Sequence, residues 1–147
     1  SQYTQLIARA VREANVYCEI KPFNTSIEFD STLKGVILSG SPASVNEADA
    51  PNVDIEAILA KLPVLTVCYG AQLSAKNFGG KVEKSNKREY GRAQLRIQKE
   101  DIIFKGITSN SQVWMSHSDS ITQLPANFGY LQLVGQACPG IPELQHL

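Results

Sequence analysis

Residues 62–72 read Leu-Pro-Val-Leu-Thr-Val-Cys-Tyr-Gly-Ala-Gln, and the rest of the chain is organised around this stretch. An apolar run of strand-forming residues ends at Cys68, a glycine follows two residues later, and a helix-compatible segment runs from Ala71 to Phe78. This order predicts a strand, a sharp turn and a helix, with the thiol at the turn. A nucleophile there projects above the carboxyl edge of a sheet, where backbone N–H groups stabilise negative charge on a substrate carbonyl. We therefore predict that Cys68 is the attacking atom of an acyl-transfer site.

The N-terminus of the following helix favours thiolate over thiol at Cys68. The alternative is a structural role, because cysteine is among the most buried residue types and often ends an apolar strand as a small core hydrophobe. The other two cysteines, Cys18 and Cys138, lack this context and are predicted to be structural thiols.

The composition indicates one globular domain that is long enough, at 147 residues, to bury a hydrophobic core. Fourteen basic residues balance fourteen acidic ones. The net charge is therefore zero and gives no indication of a nucleic-acid or membrane partner. The three cysteines are widely spaced without a C-x-x-C pair, which predicts a reducing compartment and no metal site. No apolar run approaches the roughly 20 residues that span a bilayer, and no signal peptide opens the chain, so a cytoplasmic protein is expected.

Strand and helix patterns alternate through the first half of the chain. The predicted elements are a helix over residues 6–13 that stops at Asn15, strands over 16–21 and 35–38, and a helix over 53–61. This alternation predicts an α/β fold with an open, mostly parallel sheet and helices on both faces. Because ligands bind beyond the carboxyl ends of the strands in such sheets, the Gly40 loop and the Cys68 turn are expected at the same edge.

The second half has a different texture, with shorter strand patterns and polar connections. These patterns cover residues 81–84, 93–98, 102–104 and 112–115. There is no repeat and no linker, so a single domain over 1–147 is predicted. Its last segment, 129–147, is rich in glycine and proline with little periodicity and is predicted to be atypical.

Several segments match the motifs of one family in the family's order. They include Gly35-Val36-Ile37-Leu38-Ser39-Gly40-Ser41-Pro42, Val67-Cys68-Tyr69-Gly70-Ala71-Gln72, Arg88-Glu89-Tyr90-Gly91 and Val113-Trp114-Met115-Ser116-His117-Ser118-Asp119. Over residues 1–128 the chain resembles the class I, triad-type glutamine amidotransferases, and most closely the amidotransferase domain of the GMP synthases. The family's usual first strand would lie before Ser1, so the fold is expected to lack it.

The resemblance implies hydrolysis of glutamine. The Cys68 thiolate attacks the side-chain amide, ammonia leaves, and water releases glutamate from the thioester. The resemblance further implies that the ammonia passes to an ATP-pyrophosphatase (synthetase) domain or subunit, which converts XMP to GMP. ATP and Mg²⁺ are implied for that partner only, and this domain is expected to hold no cofactor and no metal.

The resemblance also implies roles for further residues by position. Backbone N–H groups of Gly40, Ser41 and Tyr69 would stabilise the oxyanion, and Ser41 stands where many relatives have a second glycine. A second set of positions would line the glutamine pocket or face the synthetase: Gln72, Ser116, His117 and Asp119.

The general base and its orienting carboxylate are not identified. The family carries them as His-Pro-Glu near the end of the domain, and this chain has no such tripeptide. Its two histidines are His117, in the motif above, and His146, which follows Glu143 in the reverse order. Because a cysteine nucleophile needs a base or a positive field, little or no glutaminase activity is expected from the chain alone.

Two other hypotheses remain open. One is a γ-glutamyl hydrolase or peptidase-like relative, which cleavage of γ-glutamyl peptides would favour. The other is a non-catalytic domain that binds an ATP-pyrophosphatase partner, which the missing His-Pro-Glu supports.

Overall fold

The computed structural model describes residues 2–126, 128–129 and 132–135, without the side chains of 2, 85–90, 117 and 132–135. These residues fall into two compact units, one up to Asn77 and one from Phe78 onward. The assignment of 1–147 to one domain stays a prediction. Among the helices that the structure describes, none is both long and apolar enough to cross a membrane.

The first unit alternates helices and parallel strands. Its elements are α1 (Gln2–Glu13), β1 (Val36–Leu38), α2 (Ile55–Leu59), β2 (Val64–Thr66) and α3 (Tyr69–Asn77). β1 and β2 pair in parallel, with Leu38 opposite Thr66, and α2 lies in the crossover between them. Parallel neighbours need such a crossover because their ends lie far apart. The predicted α/β class and both predicted strands on either side of α2 are confirmed.

The ends of the first two helices follow local rules. α1 ends in a Schellman motif in which Val16 N–H bonds to the Val11 carbonyl (3.2 Å) and Asn15 N–H bonds to the Arg12 carbonyl (2.9 Å). Asn15 takes φ 60, which asparagine adopts more readily than most residues, and the predicted helix stop is confirmed. At the start of α2, the Asp54 carboxylate accepts from Ala57 N–H at 2.9 Å.

The buried apolar residues of the first unit come from α1, α2, α3 and the loop after β1. They are Ala8, Val45, Ile55, Ile58, Tyr69, Leu73 and Ala75. Val45, at 2% exposure, lies in a loop, which is unusual for an apolar residue so fully covered. The loop over residues 41–52 is therefore anchored in the unit at Val45.

The second unit is an antiparallel sheet. Its elements are β3 (Lys81–Ile97), a 3₁₀ helix (Ile102–Phe104), β4 (Gln112–Gln123) and β5 (Gln132–Gly135), with β3 between β4 and β5. Side chains alternate between the two faces with the period of a strand, so Ala93, Leu95 and Met115 form a buried cluster while Arg92 and Trp114 are exposed on the other face.

Three local expectations from the sequence are wrong. Residues 16–21 form no strand, because β1 and β2 pair with each other in this unit and alternation alone supplies no neighbour. Residues 102–104 form a 3₁₀ helix rather than a strand, because the Asp101 carboxylate caps Ile103 N–H at 3.1 Å. The separate strands expected at 81–84 and 93–98 belong to the single strand β3, which is interrupted by a register shift between Lys84 and Glu89.

The segment 129–147 is only partly described. Within it, β5 pairs with the end of β3, with Leu95 opposite Val134, so this part is regular. The rest of the predicted atypical segment lies outside the described residues, except Gly129.

Candidate active site

Cys68 lies at a strained turn between β2 and α3. Its φ is 54, in the left-handed region that costs a non-glycine residue about 1–2 kcal/mol. The Cys68 carbonyl accepts from the N–H groups of Ala71 (3.0 Å) and Gln72 (3.1 Å), so the helix begins immediately after the thiol. A strained strand-to-helix turn that presents a nucleophile is the geometry of a nucleophile elbow. The predicted strand, sharp turn and helix are confirmed.

Gly70 permits the first turn of α3 to lie directly on the end of β1. A Cβ built on Gly70 would be 2.4 Å from the Leu38 carbonyl oxygen and 2.8 Å from the Leu38 Cβ. Real Cβ atoms do not approach backbone this closely, so the position accepts only glycine without a shift of the helix or strand. The glycine two residues after the cysteine is thus required by close packing of α3 against β1.

The Gly40–Ser41 turn follows β1 at the same edge of the sheet as Cys68. The parallel register places the end of β1 beside the end of β2, and Val67 N–H donates to the Leu38 carbonyl at 2.8 Å. The predicted placement of the Gly40 loop and the Cys68 turn at one edge is confirmed. The oxyanion role of the backbone N–H groups in these turns stays a prediction.

Two side chains of α3 bond to the loop over residues 41–52. The Tyr69 hydroxyl donates to the Pro51 carbonyl at 2.6 Å, and Lys76 Nζ donates to the Val45 carbonyl at 2.5 Å. Burial raises the pKa of the Tyr69 hydroxyl, and the Glu47 carboxylate raises it further, so the hydroxyl remains a donor. Sequence reasoning missed both contacts because they join residues 18 and 31 positions apart. The spacing of Tyr69 and Lys76, which puts them on one helix face, was the available signal.

The surroundings of Cys68 favour the neutral thiol, whereas the sequence predicts a stabilised thiolate. The thiol is half-buried, and removal from water raises the pKa of Cys68 above its ordinary value. The prediction that the pKa of Cys68 is lowered toward the thiolate is wrong, because burial disfavours the charged form of the thiol. Activation of this thiol needs a base or a cation in addition to the helix N-terminus.

The alkylation of Cys68 is expected to report this burial. Because the pKa is raised in the folded chain, the rate of reaction with iodoacetamide should rise with pH around a midpoint above that of the urea-unfolded chain. The neutral thiol favours the fold below the ordinary thiol pKa, and this contribution is lost as pH rises through the raised value. Mass spectrometry of the peptide that contains Cys68 measures both midpoints. A native midpoint at or below the unfolded one would contradict the result and indicate an activating group beside the sulfur.

The second set of predicted site residues is divided between the two units. Gln72 lies partly buried in α3, one turn after Cys68. Ser116, His117 and Asp119 lie on β4 in the second unit, where Ser116 is exposed and Asp119 is 6% exposed and has a bonding partner. Their backbones pair with those of Tyr90, Glu89 and Lys84 of β3, respectively. The structure thus brings Gly40, Ser41, Cys68, Tyr69 and Gln72 together in the first unit.

No catalytic base is assigned from the described side chains. His117 has a described backbone only, and His146 lies outside the described residues. Within the part of the chain that the structure describes, no cluster of metal-ligating side chains occurs. An open cavity lined by residues 97–109 lies in the second unit and contains none of the predicted site residues.

A half-buried cysteine at a positive-φ elbow, on a βαβ unit, is the arrangement expected of an α/β protein with a cysteine nucleophile. The model of the family "Glutamine amidotransferase class-I" matches residues 1–142. The chain belongs to the class I glutamine amidotransferase family. The match continues past residue 128, where the motif resemblance ends.

Curated relatives support the same family. The chain is 58% identical over 132 residues to GMP synthase [glutamine-hydrolyzing] of Cytophaga hutchinsonii, covering 89% of the chain and 26% of the relative. It is 60% identical over 128 residues to the protein of the same name from Christiangramia forsetii, covering 86% and 25%. The chain therefore spans about a quarter of the length of these relatives.

Solved structures support the same fold. A protein from Thermoplasma acidophilum that is named for one subunit of GMP synthase is 30% identical with a TM-score of 0.67, over 93% of this chain and 69% of that one. A glutamine amidotransferase from Thermotoga maritima is 24% identical with a TM-score of 0.71, over 87% and 60%, and at this identity it supports the fold alone.

Proposed function

We propose that this chain is the glutaminase portion of a GMP synthase-like amidotransferase, acting in the cytoplasm, with Cys68 as its nucleophile. The observation that carries the proposal is the elbow, where a half-buried cysteine is held at φ 54 between β2 and α3. Backbone strain at a non-glycine residue persists where the surrounding structure holds it, and such residues cluster at active sites. The names of the curated relatives supply the substrate, glutamine, and the product of the whole reaction.

In this proposal the ionised Sγ attacks the carboxamide carbon of glutamine, and the carbonyl oxygen takes up the negative charge. Backbone N–H groups of Gly40, Ser41 and Tyr69 donate to that oxygen, which stabilises the tetrahedral intermediate. The C–N bond then breaks, and the nitrogen leaves as ammonia after accepting a proton. Water adds to the thioester, the C–S bond breaks, and glutamate is released. Gln72, Ser116, His117 and Asp119 are the proposed contacts to glutamine or to the partner.

The ammonia is proposed to pass to an ATP-pyrophosphatase domain or subunit that converts XMP to GMP. Support comes from the relatives, of which this chain spans about a quarter. The raised pKa of Cys68 adds a requirement, because a buried neutral thiol needs a base or cation before it attacks. We therefore expect turnover to be slow unless the chain works together with the group that supplies this activation.

A chloroketone analogue of glutamine tests the site directly. The thiolate forms an S–C bond, chloride leaves, and the label appears as a mass increase on the peptide with Cys68. Chloroacetone is the matched reagent, because it has the same reactive group without the amino acid part. We expect the glutamine analogue to label Cys68 at least about tenfold faster, equivalent to about 1.4 kcal/mol of binding, and to show no such preference at Cys18. Added glutamine should slow the labelling.

Equal rates with the two reagents would overturn the glutamine site. The non-catalytic alternative is favoured by the raised pKa of the thiol. Glutamate release distinguishes the catalytic proposal from the non-catalytic alternative. It is measured on the same sample with and without an added synthetase partner, XMP and ATP. Labelling by the glutamine analogue without glutamate release under either condition would support the non-catalytic reading.

A further inference from the structure

The loop over residues 41–52 is attached to α3 at two points that the proposed chemistry does not use. Lys76 Nζ donates to the Val45 carbonyl, and the Tyr69 hydroxyl donates to the Pro51 carbonyl at 2.6 Å. Both side chains leave the same face of the helix that begins at Cys68. The helix behind the nucleophile therefore also holds the loop that carries one of the neighbouring turns.

The bond from Lys76 joins a charged donor to a well-packed part of the loop. An ammonium donor makes a stronger hydrogen bond than a neutral one. The accepting residue, Val45, is 2% exposed, so its main chain is held by packing as well. Lys76 is exposed, so a substitution that removes its ammonium group is expected to leave the buried apolar residues of the unit intact.

Short-range bonds connect this attachment to the Gly40–Ser41 turn. The Ser41 hydroxyl accepts from Ala43 N–H at 3.2 Å. Glu47 N–H donates to the Ser44 carbonyl at 3.1 Å and closes a turn over residues 44–47. Val45 thus lies four residues after Ser41, in a segment of consecutive tight turns. A shift of the Val45 carbonyl is transmitted to the Ser41 amide, because so short and internally bonded a segment has little slack.

We propose that Lys76 is a positioning residue for the reaction, which fixes the Gly40–Ser41 turn relative to Cys68 through the Val45 carbonyl, with Tyr69 holding the far end of the loop. The inference rests on the proposed function, because it assigns the turn to the substrate oxygen. Oxyanion donors act at about 2.7–3.1 Å from the charged oxygen, so a displaced turn stabilises it less. A misplacement of about 1 Å can cost about 100-fold in rate.

The test compares three variants with the unsubstituted chain. Lys76→Met keeps an unbranched chain up to the ε position and removes the ammonium donor, and Lys76→Arg restores a cationic donor. Lys34→Met is the matched control, because Lys34 Nζ also donates to a backbone carbonyl of the same unit, that of Ser31, at 2.6 Å, and lies before β1 whereas the loop follows it. Each chain is treated with the glutamine chloroketone and with iodoacetamide, and the mass of the Cys68 peptide is followed over time.

The two reagents separate positioning from stability. The thiolate first adds to the ketone carbon, which places negative charge on oxygen; the sulfur then displaces chloride from the adjacent carbon, and the C=O bond re-forms as the first S–C bond breaks. Alkylation by iodoacetamide displaces iodide directly, without an oxyanion. We expect Lys76→Met to slow labelling by the chloroketone about tenfold to 100-fold and to change alkylation by less than about twofold. Lys76→Arg should recover most of the lost rate, and Lys34→Met should leave both rates unchanged.

The inference and the proposed function fail in different ways. Equal chloroketone rates for Lys76→Met and Lys34→Met would overturn the positioning role, as would an equal loss with both reagents, which indicates general loosening. If the unsubstituted chain shows no preference for the glutamine reagent, the proposed function fails. Amide hydrogen exchange then tests whether Lys76 holds the loop. Exchange in residues 41–46 should be faster in Lys76→Met than in Lys34→Met, and equal exchange would overturn this role of Lys76.

Discussion

Replacing Cys68 with alanine is expected to abolish labelling by the glutamine chloroketone and to lower glutamate release at least about 1000-fold. Removal of the attacking atom leaves only binding and oxyanion stabilisation. In other enzymes, loss of the nucleophile lowers kcat by up to about a millionfold. The loss is expected to be largest with an added synthetase partner, because the proposed function places the fastest turnover there. The measurements are the mass of the peptide that contains residue 68 and the amount of glutamate released.

Cys18→Ala is the matched control for this experiment. Cys18 is another partly exposed free cysteine of the first unit, and it lies in a segment without regular structure. Its replacement should leave chloroketone labelling and glutamate release within about twofold of the original chain. Glutamate release that survives Cys68→Ala would refute the nucleophile. Robust release by the chain alone that depends on Cys68 would instead refute the expectation based on the missing His-Pro-Glu, and would require a base that the described side chains do not show.

Gly70→Ala is expected to lower the free energy of unfolding by about 3 kcal/mol, toward the upper end of the cost of overpacking a well-packed site. The added methyl would meet the Leu38 carbonyl oxygen at 2.4 Å, and neither atom belongs to a flexible side chain that can move away. Relief requires α3 to move from β1, which also displaces the elbow at Cys68. Urea unfolding followed by circular dichroism measures the stability, and chloroketone labelling measures the displacement.

Gly129→Ala provides the comparison, because a Cβ at Gly129 meets no atom of the described residues within 4 Å and its φ is not in the left-handed region. Its effect on stability should stay within about 0.5 kcal/mol. If Gly70→Ala were as harmless as Gly129→Ala, the close approach of α3 to β1 would not exist in solution. A stable Gly70→Ala chain with slower chloroketone labelling would show that the helix had moved and carried the thiol with it.

The parts of the site that sequence reasoning located share a local origin. The elbow was predicted because a strand-forming run, a cysteine and a glycine occur within a few consecutive residues, and these determine backbone conformation through steric preferences. The edge shared by Cys68 and Gly40 followed from the general topology of parallel sheets, which β1 and β2 obey. The family resemblance implies further residue roles that local patterns do not contain, and these roles stay predictions.

The failures have an equally physical origin. Residues 16–21 alternate like a strand, but a strand needs a neighbour to satisfy its main chain, and alternation does not say whether one exists. Residues 102–104 are apolar like a strand, but the Asp101 carboxylate bonds to the backbone and favours a 3₁₀ turn. The pKa of Cys68 was expected to fall on the basis of the adjacent helix, and burial raises it instead.

The sequence by itself determined the α/β class, the position of Cys68 at a strand-to-helix turn, and the family. These depend on steric and hydrophobic preferences that act over a few residues, or on motifs that can be read directly. Only the tertiary structure decided that Gly70 lies on Leu38, that Lys76 and Tyr69 hold the loop after β1, and that the thiol is half-buried. Each of these joins distant positions or depends on how much water the packed chain excludes, and neither property is encoded in a short stretch of sequence.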